Sequence, residues 1–198
     1  MTSVEGATTA AGRGDGELWS AAAAGDRVAF TELYHRHADA VWRLGMRMTG
    51  SRSTAEDVLA ATFLTAWRRR ADVRLVHASA RPWLLAVAAN EVRTEWRKAN
   101  RHERLAHHVG PPADVRDHAD SVVASLDDRR RVHAVLAAVA ALPIGQRDVV
   151  ALCLIAEVPQ SDAAKALGIS QVTLRSRLHR ARAQLRAAAG PSTVGAAR

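Results

Sequence analysis

The chain has 198 residues with 28 Lys and Arg against 20 Asp and Glu, a formal charge of +8, and it is 48% hydrophobic but only 4% aromatic. That length fits one medium domain or two small ones, and the charge favours an anionic partner without saying anything of fold. Cys153, the single cysteine, excludes an intrachain disulfide and makes a thiolate metal cluster implausible, and it reads as a buried structural thiol.

No segment is long and apolar enough to span a bilayer, and the first sixteen residues lack the basic start and apolar core of a signal peptide. The expectation is a cytoplasmic protein with no membrane insertion. Alanine supplies much of the apolar content and favours helix, and β-branched residues never fall into alternating runs. The predicted fold is all-α with lean cores, in which the five tryptophans fill a large share of the volume.

In chain order, residues 1–16 have no periodicity and read as a disordered tail. Its Arg13-Gly14-Asp15 triplet reads as coincidence. Residues 17–101 form a first helical domain. A hairpin over Glu17–Ala24 and Asp26–Met48 carries the stripe Phe30, Leu33, His37, Val41, Leu44 and Met48. Thr49-Gly50-Ser51 stops it. Ser53 opens the next helix with Glu56 three residues on, the pattern of a capping box. Its apolar face holds Ala55, Val58, Leu59, Thr62, Phe63, Ala66 and Trp67. A third helix starts after Ser79, accepts Pro82 in its first turn, and turns Leu84, Val87, Ala88 and Val92 inward.

Residues 102–126 break the periodicity at Gly110-Pro111-Pro112 and read as a flexible linker. Residues 127–189 form a second helical domain with predicted helices Asp128–Ala141, Ile144–Glu157, Gln160–Leu167 and Gln171–Ala188, two of them opened by Pro143 and Pro159. The last two make a helix-turn-helix. Gly168 supplies a left-handed residue, Ser170 caps the second helix, and Ala164 lies where the backbones approach. Residues 190–198 read as a tail.

Two helix faces carry chemistry. Leu174, Leu178, Ala181 and Leu185 recur at helical steps and point inward, which turns Thr173, Ser176, His179 and Arg180 outward with Arg175 and Arg177 beside them. From Lys165 to Arg186 there are six basic side chains and no acid, a pattern suited to a nucleic-acid backbone. Arginine pairs with guanine, and hydroxyls serve bases or phosphates. Ser176, His179 and Arg180 are the candidate base readers, and Thr173, Arg175 and Arg177 the candidate phosphate contacts. The second face, in the third helix, aligns Asn90, Arg93, Thr94, Arg97 and Arg101. An amide among spaced arginines suits single-stranded DNA. For each face the plain alternative is a solvated polar surface. Trp83 and Trp96 could stack on bases, with core packing the stronger reading.

No HExxH, Cys/His spacing, GxSxG, GxxxxGK[ST] or paired-carboxylate motif occurs, so neither a metal, a cofactor nor an enzymatic site is expected.

Two stretches together resemble the extracytoplasmic-function group of bacterial sigma-70 factors. Ala55-Glu56-Asp57-Val58 through Phe63-Leu64-Thr65-Ala66-Trp67-Arg68, with Pro82-Trp83-Leu84 to Asn90, looks like region two. Ala141-Leu142-Pro143, Gln146-Arg147-Asp148-Val149-Val150, Ala163 to Ile169 and Thr173 to Arg182 look like region four. The resemblance implies a factor that binds core RNA polymerase, reads promoter DNA near −10 and −35, and catalyses no covalent chemistry. It implies −10 contacts for Asn90, Arg93, Thr94 and Arg97, −35 contacts for the final helix, and docking on polymerase through Glu56, Asp57, Leu64 and Arg68. Thr94 stands where the family often has aspartate, Ala89 where it has a basic residue, and Pro159 where it has a Ser or Thr cap. An anti-sigma partner clamping the two units is physically open. The rivals are a one-component helix-turn-helix regulator that never touches polymerase and an enzyme of nucleic-acid metabolism.

Overall fold

A computed structural model describes residues 13–75, 79–109 and 126–189. The readings made on residues 1–12 and 190–198 and on Gly110-Pro111-Pro112 lie outside them. Among the described residues every regular element is helical. The helices are α1 (Asp15–Ala23), α2 (Arg27–Thr49), α3 (Arg52–Arg69), α4 (Arg81–Val109), α5 (Leu126–Ala141), α6 (Ile144–Val150), α7 (Gln160–Ala166) and α8 (Gln171–Ala189). A π-helical segment, Ala151–Ile155, continues α6.

The first unit packs α1, α2, α3 and α4 around Leu18, Leu33, Leu44, Met48, Leu84 and Leu85, all at most 1% exposed. Asp26 starts α2 by accepting the N–H groups of Val28 and Ala29 at 2.8 and 3.0 Å, and Gly50 ends it in a left-handed conformation. Gly45 lets α2 and α3 touch, because a Cβ there would stand 3.1 Å from the Ala55 Cα. The predicted stripe on α2 is buried at Leu33, His37, Val41, Leu44 and Met48, with Phe30 half-buried against Phe63 and Trp67. Of the tryptophans only Trp19 is fully buried. Trp83, half-buried, meets it edge-on at 5.2 Å, so both carry packing.

Three local expectations need correction. The cap of α3 is Ser51, whose hydroxyl accepts the Thr54 N–H at 3.3 Å. Glu56 pairs with Arg52 at 3.0 Å instead of reaching back, so no capping box forms around Ser53. The helix starts earlier because Ser51 is the residue still in extended conformation. Asp15 and Gly16, read as tail, are helical, and Asp15 is buried. Its carboxylate accepts Ser79 Oγ at 2.8 Å and the Ala80 N–H at 2.9 Å, and meets His37 Nε2 at 2.7 Å. One side chain thereby ties α1 to α2 and to the start of α4. Burial alone would push its carboxyl up, but the Ala80 N–H, the Ser79 hydroxyl and His37 hold it below the ordinary value. Finally, α4 runs on to Val109, so helix takes up the first residues of the stretch read as linker.

The second unit is built on Val139, Leu142, Val149, Leu152, Leu174 and Leu178. The predicted helix Ile144–Glu157 is α6 plus the π segment. There the Ala156 N–H reaches the Ala151 carbonyl at 2.9 Å, five residues back, and Glu157 takes a positive φ of 55°. Cys153 lies in this segment, half-buried, and burial raises its thiol pKa despite nearby Arg182.

Candidate nucleic-acid interface

The helix-turn-helix is positioned by its own turn. Gly168 has φ of 64°, and the Ile169 N–H bonds the Ala164 carbonyl at 3.0 Å, closing α7. Ser170 Oγ then accepts the Thr173 N–H at 3.1 Å and contacts the Thr173 hydroxyl at 2.9 Å, which caps α8. At α7, Pro159 gives no side-chain cap, and Ser161 donates to Asp162 at 3.0 Å.

On α8, Leu174, Leu178 and Ala181 are buried and Leu185 half-buried, the predicted inward face. His179, Arg180 and Arg175 are exposed, with Thr173, Ser176 and Arg177 half-buried. Arg180 donates to Ser176 Oγ at 3.0 Å, so two candidate base readers share one patch. Arg175 donates to Gln171 at 3.1 Å. Arg177 differs from its neighbours. Its guanidinium lies over Gly145, where a Cβ would come within 2.7 Å of it, so this arginine folds back on α6.

On α4, Asn90 and Arg97 are exposed and Arg93 and Thr94 half-buried. Arg93 donates to the Asn90 amide oxygen, Thr94 to the Asn90 carbonyl, and Arg97 to Thr94 at 3.1 Å. The four candidates therefore form one ladder along the helix. On α3, Glu56, Asp57, Leu64 and Arg68 are all exposed, and Leu64 is 48% exposed despite being apolar.

A seam that no spacing in the chain announces joins the two units. Arg93 Nη1 stands 3.7 Å from the Asp148 carboxylate, and the Arg147 guanidinium lies 4.9 Å from the centre of the Trp96 ring. Arg47 Nη1 donates to the Ile155 carbonyl at 2.8 Å, and Arg81 Nη2 to that of Ala156 at 3.4 Å. Burial pushes the Asp148 carboxyl up, and Arg93, Arg147 and Arg177 only partly oppose it. At 3.7 Å the Arg93–Asp148 pair is longer than either carbonyl contact. Arg93 Nε and Arg147 Nε are buried with no hydrogen-bond partner, a defect costing about 1–3 kcal/mol each. The only signal in the sequence was a lone acid beside Arg147, which spacing could not connect to a helix fifty residues away.

No group of three or more His, Cys, Asp or Glu among the described residues could hold a metal ion, and none of the described helices is long and apolar enough to cross a membrane.

Comparison with known proteins agrees with this layout. Residues 33–102 match the family described as Sigma-70 region 2, and residues 133–185 match Sigma-70, region 4. The chain is 32% identical over 173 residues to the ECF RNA polymerase sigma factor SigM of Mycobacterium tuberculosis, covering 87% of this chain and 83% of that protein. It is also 32% identical over 167 residues to SigL of the same species, covering 84% and 92%. Among solved structures, CnrH in complex with the cytosolic domain of CnrY is similar at a TM-score of 0.60 and 27% identity, over 87% of this chain and 95% of that one. RpoE of Bartonella quintana, solved with the anti-sigma factor NepR, shares the fold at a TM-score of 0.54 and 22% identity, over 80% and 95%.

Proposed function

The chain belongs to the extracytoplasmic-function group of sigma-70 factors, and on that premise we propose how its residues divide the work of an RNA polymerase sigma factor. As such a factor it binds core RNA polymerase and directs promoter recognition and transcription initiation. Residues 17–101 engage polymerase and the −10 element, residues 127–189 the −35 element, and the stretch between them is the linker. Ser176, His179 and Arg180 read bases in the major groove, while Thr173 and Arg175 hold phosphates. Arg177 joins them once it swings off α6. Asn90, Arg93, Thr94 and Arg97 bind the separated strand near −10. Glu56, Asp57, Leu64 and Arg68 dock on polymerase. The protein supplies binding energy and no covalent chemistry, and acts in the cytoplasm. An anti-sigma protein, the kind of partner named for the Bartonella quintana factor, is a further candidate ligand.

The observation that carries this reading is the split of α8, with Leu174, Leu178 and Ala181 buried and Arg180, His179 and Arg175 exposed on one cationic surface. Run-off transcription with reconstituted polymerase on a genomic library tests it and reports the promoter. Start-site-specific transcripts that vanish with Arg180→Ala are expected, and transcripts indifferent to α8 would refute the assignment. Leu64→Asp should weaken core-polymerase binding by about 2 kcal/mol, as at a buried apolar anchor, in a competition assay against wild type. Unchanged affinity would move the docking face elsewhere.

A further inference from the structure

On the reading of α8 as the helix that enters the major groove at the −35 element, we propose that Val172 is a further specificity-determining residue. Its side chain recognises the 5-methyl group of one thymine in that groove.

The first observation is where Val172 points. It is 75% exposed, more than any other large apolar side chain among the described residues. It stands nine residues before Ala181, which is fully buried. That interval is about two and a half helical turns, so the two side chains point in opposite directions. Val172 therefore lies on the outermost line of α8, the line that Ser176, His179 and Ala183 continue. Packing does not account for that placement, because Leu174 and Leu178 supply the buried contacts of this part of the helix. Helix propensity does not account for it either, since alanine holds a helix better than a β-branched residue.

The second observation is the state of its neighbours. Ser170 Oγ accepts the Thr173 N–H and meets the Thr173 hydroxyl, and the Gln171 amide oxygen accepts Arg175 Nη2 at 3.1 Å. The polar groups of this first turn are engaged with one another and leave an apolar tip between them. A recognition helix presents its N-terminal residues to base edges. In the major groove each base offers its own donors and acceptors, and thymine alone adds a methyl group. Val172 has two methyl groups and no polar atom in its side chain, so the 5-methyl is the feature it can bind. Its χ1 is stiff and its turn is capped, so little freedom is lost on contact. Val28, at 73% nearly as exposed, stands in the first turn of α2, on neither helix read as binding DNA, and serves as the control.

The test uses the full chain reconstituted with core polymerase and a promoter duplex from the run-off experiment. Each thymine of the −35 half is replaced in turn by deoxyuridine, which lacks only the 5-methyl group. In wild type one position should lose roughly fourfold in affinity in a competition assay, the worth of one buried methyl group. Val172→Ala, an exposed change toward a better helix former, should lose a similar factor on the unmodified duplex. Deoxyuridine at the sensitive position should then cost that variant nothing more, as for two groups in contact. Val28→Ala should behave as wild type throughout. A −35 half that holds no thymine, or in which every thymine tolerates the exchange, overturns the proposal. So does a sensitive position that keeps its full loss in Val172→Ala, or that loses it equally in Val28→Ala. Arg180→Ala separates the two readings. If it abolishes discrimination between promoter and random duplex while the deoxyuridine scan is flat, the role of Val172 alone falls. If discrimination survives it and the scan is flat, the reading of α8 falls as well.

Discussion

On α8 the candidate DNA contacts look outward over a floor of buried Leu174, Leu178 and Ala181, while on α4 Asn90 and Arg93 look across a crevice at Asp148 and Leu167. Both helices show the same design in one dimension, polar residues at three- and four-residue steps opposite apolar ones. They differ in what stands in front of them. The face of a helix is set by its own spacing, but its accessibility is set by residues far along the chain. The two units also hold their helices differently. The first relies on a buried carboxylate, Asp15, joining three helices, together with aromatic edges around Phe63 and Trp67. The second relies on small aliphatic side chains and on a glycine turn with a serine cap.

Removing the carboxylate is the strongest way to break this comparison. Asp15→Ala strips Ser79, the Ala80 N–H and His37 of a buried partner, and should cost the first unit about 3 kcal/mol. Thermal unfolding should split into two transitions, with the second unit unmoved. A single unchanged transition would show that Asp15 carries no such weight. The same carboxylate gives a pH signature. Its folded pKa lies below the ordinary 3.8, so its contribution is complete above that value and is lost as pH falls through the folded one. The stability gap between wild type and Asp15→Asn should therefore shrink as melts are taken from neutral pH to below the ordinary value. A gap that widens on acidification would show that the folded Asp15 carboxyl lies above the ordinary value, not below it.

Arg180→Ala and Arg97→Ala sharpen the contrast between the faces. Arg180→Ala should weaken binding to a specific duplex by about 2 kcal/mol while sparing random DNA, because a base reader carries sequence information. Equal losses on both would make it a phosphate contact. Arg97→Ala should leave duplex binding by the free chain unchanged and reduce open-complex formation with polymerase, as footprinting with permanganate would read. The smallest effect belongs to the turn. Ser170→Ala removes the cap on the Thr173 N–H and should lower the stability of the second unit by about 1 kcal/mol, measured by urea titration.

What spacing could reveal and what it could not follows from the range of the interactions. Gly168, Ser170, Asp26 and the stripe Leu174–Leu178–Ala181 act within a turn or two of themselves, so their roles stand in the sequence. Even there spacing puts the start of α3 at Ser53, two residues late, because backbone conformation and not spacing makes Ser51 the cap. Asp15 sat in a stretch rich in glycine and threonine, and its partners lie 22 and 65 residues away. The seam is likewise made of single side chains from distant helices, with no period to expose it. The alignment of Asn90 with Arg97 is legible because helix geometry alone places it, whereas only the family resemblance singles out exposed Leu64 on α3.

The wide turn at Ala151–Ile155 holds one residue more than an ordinary helical path would use. Deleting a residue there would restore α-helical hydrogen bonds and shift the Ile155 and Ala156 oxygens from the places where they meet Arg47 and Arg81. That single spare residue acts as an indexing notch, fixing the angle at which one half of the molecule is presented to the other.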